Sequence, residues 1–182
     1  HFWGRRGAWC FSAVALLAYG LVLVLFGDDT LQGNAALRFD RWLLGEAHLY
    51  KGEGIPFDPE GALGTLPAIV NVLAGYLGAS TLRRLGAGHA AVARLLVAAA
   101  VVIVVGLAWH GVQPMNKKLW TPAYVLVSSG IALAVLAVLV DLIELRGWRG
   151  WTYFFEVFGR NTLFIYLLAE LAMAVLWISQ VG

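Results

Sequence analysis

The chain has 182 residues, of which 60% are hydrophobic and only 13% charged, where a soluble domain carries about 25% charge. With a mean hydropathy of +0.77 it reads as an integral membrane protein, and soluble enzyme and scaffold classes are excluded. A formal net charge of +2 is too small to point to nucleic acid, and a single cysteine, Cys10, rules out an intrachain disulfide.

Five apolar segments, residues 7–26, 61–82, 90–109, 122–142 and 161–179, can each cross a hydrocarbon layer of ~30 Å at about 1.5 Å per residue. Lipid cannot satisfy backbone polar groups and no alternating barrel pattern is present, so the segments are expected to be helices. The predicted fold class is therefore all-α. We expect a polytopic transmembrane helix bundle, with residues 1–182 forming part of a single transmembrane domain. One long outer loop, residues 28–60, carries a short helix. The first segment lacks a clear cleavage site and is read as a span, not a signal peptide. The chain starts at His1 without a methionine and stops at Gly182, just after a span, so a piece of a larger bundle is expected.

Charge orients the spans. If they alternate, Arg5, Arg6, Arg83, Arg84, Arg146 and Arg149 share one side, with Arg94 and Arg160 near it. The 28–60 loop on the other side holds Asp28, Asp29, Asp40, Glu46, Glu53, Asp58 and Glu60 against Arg38, Arg41 and Lys51. The positive-inside rule places the start of the chain in the cytoplasm and the loop outside: periplasmic in a bacterial inner membrane, luminal in a eukaryotic relative. Trp3, Trp9, Trp148 and Trp151 then mark the inner interface, and Trp42, Trp109, Trp120 and Trp177 the outer one. The Ala-, Leu-, Val- and Gly-rich composition points to the bacterial membrane.

The outer loop is the most informative stretch. Asn34 can cap a short helix, Leu37, Trp42, Leu43 and Tyr50 can give it an apolar side, and the glycines and Pro56 of residues 51–56 break it. Asp58-Pro59-Glu60-Gly61 stands directly before the second span. Asp58 is placed to cap that helix, with Pro59 in its first turn and Glu60 at its positive dipole end. The same two carboxylates can orient a polar substrate or accept a proton from it.

Within the spans, Glu170 is costly, since an ionised Asp at mid-span is charged about 2.5–3.5 kcal/mol on insertion scales. It faces either a water-filled cavity or a hydrogen-bonding neighbour. Asn71 lies four residues after Pro67, a proline expected to kink the second span and turn its polar side toward the same cavity. His48, His89 and His110 have no metal-ligand spacing and no cysteine partner, so no metal is expected. Ala74 with Gly78, and Gly61 with Gly64, are read as close-packing positions. Gly86-Ala87-Gly88 is read as a turn between spans, since no Lys-Ser/Thr follows.

Asp40-Arg41-Trp42-Leu43-Leu44-Gly45-Glu46, with His48 and Tyr50, then Asp58-Pro59-Glu60-Gly61 and Gly64-Thr65, resemble the luminal loop of the heparan-α-glucosaminide N-acetyltransferase family. Pro114 with Asn116-Lys117-Lys118-Leu119-Trp120 is similar to the stretch before a later span of that family. Phe158-Gly159-Arg160-Asn161 with Tyr166 and Glu170 is similar to its penultimate span. The family's bundles have about eleven spans, and its lysosomal members carry acetyl from cytosolic acetyl-CoA to the amine of a terminal glucosamine in the lumen. The resemblance implies that this chain is the later half of such a bundle and that acetyl-CoA is its co-substrate. The family's catalytic histidine belongs to an early loop without counterpart here, so this segment alone is expected to be inactive.

On that reading the auxiliary catalytic candidates are Asp58, Glu60 and Glu170. Asn116 and Lys117 would lie near the thioester or the sugar, and Arg160 with Asn161 near the nucleotide end. Asp40, Arg41, His48, Asp58, Glu60, Trp120 and Asn71 are the substrate-binding candidates. The implied partners are the lipid bilayer, an amino sugar and the remaining spans of the bundle, with a second copy as a candidate. An amino-sugar permease, with Glu170 and Asn71 on its path, is the alternative function. A non-catalytic packing subunit is the third.

Overall fold

The computed structural model describes residues 4–179, so Trp3 and the chain ends, His1 and Gly182, lie outside the described residues. Seven α-helices follow one another: α1 (Arg5–Phe26), α2 (Ala35–Leu44), α3 (Thr65–Leu85), α4 (His89–His110), α5 (Pro122–Val140), α6 (Thr152–Arg160) and α7 (Thr162–Ser179). A 3₁₀ turn at Glu46–His48 follows α2, and a π-helical turn at Asp141–Leu145 extends α5. Five helices are long and apolar enough to cross a membrane: α1, α3, α4, α5 with its π extension, and α7.

The second span starts later than its apolar run. Asp58, Pro59 and Glu60 form a turn of their own, and α3 begins at Thr65 behind Gly64 without a side-chain cap. Pro67 is consequently the third residue of α3, where its missing N–H is one of the groups a helix start leaves unpaired anyway. The expected kink therefore has no cause.

α4 and α5 share the broadest helix contact; α1 packs on α3, and α3 on α5. Small residues allow this approach. A Cβ on Gly130 would sit 3.0 Å from the Ala99 carbonyl of α4, and one on Gly106 would sit 3.0 Å from the Val127 amide of α5. Leu95, Ala99, Leu133 and Ala137 fill the centre of that seam. Gly78 has the same role on α3, where a Cβ would meet Leu133 at 2.9 Å. In a membrane such contacts gain by dispersion and close packing, because lipid tails are as apolar as the side chains they replace.

Among the helices, α6 and α7 contact only each other. α7 carries no buried residue, and α6 exposes Tyr153, Phe154, Phe155 and Phe158. The composition gave no warning of α6, which falls between the fourth and fifth apolar segments. Its aromatic run beside Trp148 and Trp151 suits a helix lying in the interface.

Candidate functional site

The outer loop is folded onto the ends of the spans. Asn34, fully buried, accepts the Leu37 amide at 2.7 Å and donates to the carbonyls of Thr30 and Leu31 at 3.0 and 2.8 Å. It thereby caps α2 and ties down the turn before it, as an N-terminal Asn should. Arg38 donates to the Phe26 carbonyl at 3.0 Å, closing the end of α1. α2 stops at Gly45, whose φ of +78° is a glycine conformation, earlier than the 51–56 run suggested. Leu37, Leu49, Phe57 and Leu119 then form a small core that joins this loop to the segment before α5.

Asp40 is the centre of the arrangement. It is 1% exposed on α2, and its Oδ1 accepts the Leu63 amide at 3.3 Å. Its other oxygen rests on Gly61, where any Cβ would overlap the carboxylate. Burial pushes the Asp40 carboxyl above the usual carboxylate range and the nearby charge of Asp58 adds to this, while the amides of Leu63 and Ala62 act against both. Asp58 is half-buried and uses Oδ1 to accept the Glu60 amide at 2.9 Å, while its carbonyl accepts Gly61 N–H at 3.1 Å. The loop thus holds two carboxylates within electrostatic reach of each other, Asp40 on α2 and Asp58 on the turn packed against it.

A second turn closes against the first. Asn116 Oδ1 accepts the amides of Lys118 and Leu119 at 2.9 and 3.4 Å, and its own N–H donates to Thr121 Oγ1 at 2.9 Å. Trp120 completes this turn with a φ of +48°, a left-handed conformation costing a bulky residue on the order of 1–3 kcal/mol. Its ring stacks edge-on against Tyr124 at 5.8 Å and lies 4.0 Å from the position of a Cβ on Gly64. Tyr19 of α1 donates to the Leu119 carbonyl at 2.7 Å and lies within electrostatic reach of Asp40. Lys118 pairs with Glu53, linking this turn to the outer loop.

The candidates thus separate into groups. Asp58, Asn116 and Trp120 belong to the two apposed turns, and Asp40 of α2 packs against the first of them. Glu60 and Lys117 are exposed beside them. Arg41 pairs with Glu46 at 3.0 Å, and exposed His48 binds the Leu44 carbonyl through Nδ1 at 2.8 Å. Asn71 accepts Ser129 Oγ at 2.8 Å, a contact between α3 and α5 inside the bundle. Glu170 is exposed on α7, so the structure does not bring it to Asn71. Arg160 and Asn161 are exposed at the α6–α7 junction, where Asn161 Nδ2 donates to the Val157 carbonyl at 2.8 Å. Among the described residues no three His, Cys, Asp or Glu side chains converge.

Tyr19, Gln113 and Thr121 are buried polar residues of this region that the sequence reading passed over. Both side-chain polar atoms of Gln113 are buried without a hydrogen-bond partner. Tyr19 and Thr121 sit in or beside apolar runs, and their only sequence signal was a hydroxyl within about two turns of a span's outer end.

No family model matches the chain. Among curated proteins it is similar to the mouse and human "Heparan-alpha-glucosaminide N-acetyltransferase", each 30% identical over 149 residues and 74% of this chain. The chain spans 23% of the mouse protein and 22% of the human one, under a quarter of the curated relatives it matches.

Proposed function

We infer, from a chain that is a distant relative of heparan-alpha-glucosaminide N-acetyltransferase, a membrane-bound acyltransferase acting on an amino sugar at its loop face. The acetyl donor in this reading is acetyl-CoA arriving from the arginine-rich face, as a co-substrate. The membrane in question is a bacterial inner membrane, with the loop facing the periplasm. The whole activity belongs to the full-length protein.

One observation carries the reading: Asp40 of α2 packs against the turn that carries Asp58 at the loop end, with the Asp40 carboxyl held above its ordinary titration range. Asp58, the member nearer solvent, is the group that accepts a proton from the sugar ammonium. The freed amine attacks the acetyl carbonyl carbon, the N–C bond forms, the C–S bond breaks, and the second proton leaving nitrogen passes to the departing CoA thiolate, which leaves as the thiol. Asp40 acts through Asp58 and is a positioning residue. Lys117 and Asn116 lie on the facing turn and would contact the thioester end or the sugar. Arg160 and Asn161, at the other end of the membrane helices, are the groups for the nucleotide end. The energetic demand on one proton acceptor is modest, a rate factor of about 10²–10⁴.

The test uses the full-length protein in detergent with labelled acetyl-CoA and glucosamine. Label in N-acetylglucosamine, lost in Asp58→Asn at preserved melting temperature, supports the assignment. Label retained in that variant removes Asp58 from it. No label in wild type, with glucosamine uptake in vesicles, would favour the permease.

A further inference from the structure

The opposite end of the bundle holds a second feature that the acyl-transfer reading leaves unused. The backbones of α1 and α4 stay apart, meeting through Trp109 at Gly20; α3 and α5 form the floor between them, leaving a cleft of about 670 Å³. Its walls are apolar, with Leu16 from α1, Gly78 from α3, Val102 from α4 and Leu133 from α5. At the arginine-rich end the lining changes to Arg5, Trp9 and Arg94.

These two guanidinium groups are poorly compensated. Arg5 donates to Thr81 Oγ1 at 3.3 Å, a neutral acceptor. Arg94 is the sixth residue of α4, about 7–8 Å along the helix from its start, in an otherwise apolar run. Among the described residues the four ion pairs involve neither of them. A charge at that depth normally faces a partner or a polar cavity. Of the acids in the described spans, Asp141 and Glu144 pair with Arg146 and Arg149, and Glu170 is the ninth residue of α7, a helix that does not contact this bundle. Among the described residues no carboxylate pairs with either guanidinium.

We propose that the cleft between α1 and α4 is a binding site for one anionic phospholipid, with its phosphate held by Arg5 and Arg94 and its acyl chains lying against Leu16, Gly78 and Val102. The charges match in sign and the apolar walls match the tails. Trp9 marks the depth at which headgroups meet hydrocarbon. The cleft also runs in the right direction: α1 lines it from Arg5 to Leu17 and α4 from Arg94 to Trp109, about 18 and 22 Å of helix, enough to receive an acyl chain lying along the bilayer normal.

The experiment is native mass spectrometry of the full-length protein released from bilayers containing equal dioleoyl-phosphatidylglycerol and dioleoyl-phosphatidylcholine. The expected result is one retained phosphatidylglycerol, with preference falling about fivefold for each of Arg5→Gln and Arg94→Gln. Arg6→Gln removes the same charge from an exposed residue that does not line the cleft, and should leave the preference unchanged. Val102→Trp should expel the lipid while both arginines remain. Equal retention of the two lipids, or a preference insensitive to both arginine variants, overturns the proposal. So does a wild-type protein that retains none, which would mean another segment of the chain fills the cleft. Labelled acetyl transfer is read separately, so this site and the proposed activity fail independently.

Discussion

The carboxylate of Asp40 lies directly on Gly61, twenty-one positions later in the chain, with no room for a Cβ between them. That contact fastens α2 to the turn that carries Asp58. Gly61→Ala should therefore drive the carboxylate off the Leu63 amide and destabilise the protein by about 1–3 kcal/mol, as overpacking does. A thermal melt of the full-length protein checks this. An unshifted melting temperature would mean that the turn yields freely.

The raised Asp40 carboxyl makes a prediction about pH. Its folded form binds a proton more tightly than the unfolded chain does, so its contribution is fully present below the ordinary Asp range. That contribution is lost as pH rises through the elevated folded value. Wild type should lose melting temperature over that window, and Asp40→Asn should flatten the loss. Parallel curves for the two proteins across about pH 4–8 would contradict the assignment.

Lys117 and Lys118 adjoin in sequence but differ in role. Lys118 pairs with Glu53 at the surface, and such pairs contribute about 0–1 kcal/mol, so Lys118→Ala should change stability little. Lys117 is exposed on the turn whose Trp120 packs against Gly64, and Lys117→Ala should lower acetyl transfer about tenfold or more, near 1.4 kcal/mol of barrier. Initial rates at saturating and limiting acetyl-CoA separate binding from transfer. Wild-type kinetics in Lys117→Ala would clear that residue.

Asn34→Ala removes an N-cap and strands the Leu37 amide inside the loop. The expected cost is about 0.5–2 kcal/mol of stability. Hydrogen exchange should show the α2 amides opening faster while those of α4 and α5 keep their protection. Uniform loss of protection would mean that the loop and bundle unfold as one unit.

Much of the fold was legible because bilayer thickness and backbone hydrogen bonding leave few choices. Twenty apolar residues must form a spanning helix, and the Asn34 cap and the Gly86 turn follow from local chemistry. Local rules also misplaced some features. Asp58 looked like a cap for α3, yet its carboxylate is taken by the Glu60 amide, five residues before that helix begins. α6 escaped notice because nine residues rich in aromatics carry no span-length signal.

The sequence by itself determined the membrane class, the number of spans, the charge asymmetry of the two faces and the stretch where carboxylates gather. These depend on composition and on interactions between near neighbours. Only the tertiary structure decided that Asp40 is buried against Gly61, that Trp120 closes over Gly64, that Glu170 and Asn71 are apart, and that Arg5 and Arg94 share a cleft. The reason is physical. Whether a polar side chain is satisfied, strained or left seeking a partner depends on groups brought to it from distant parts of the chain, and no local pattern records their approach.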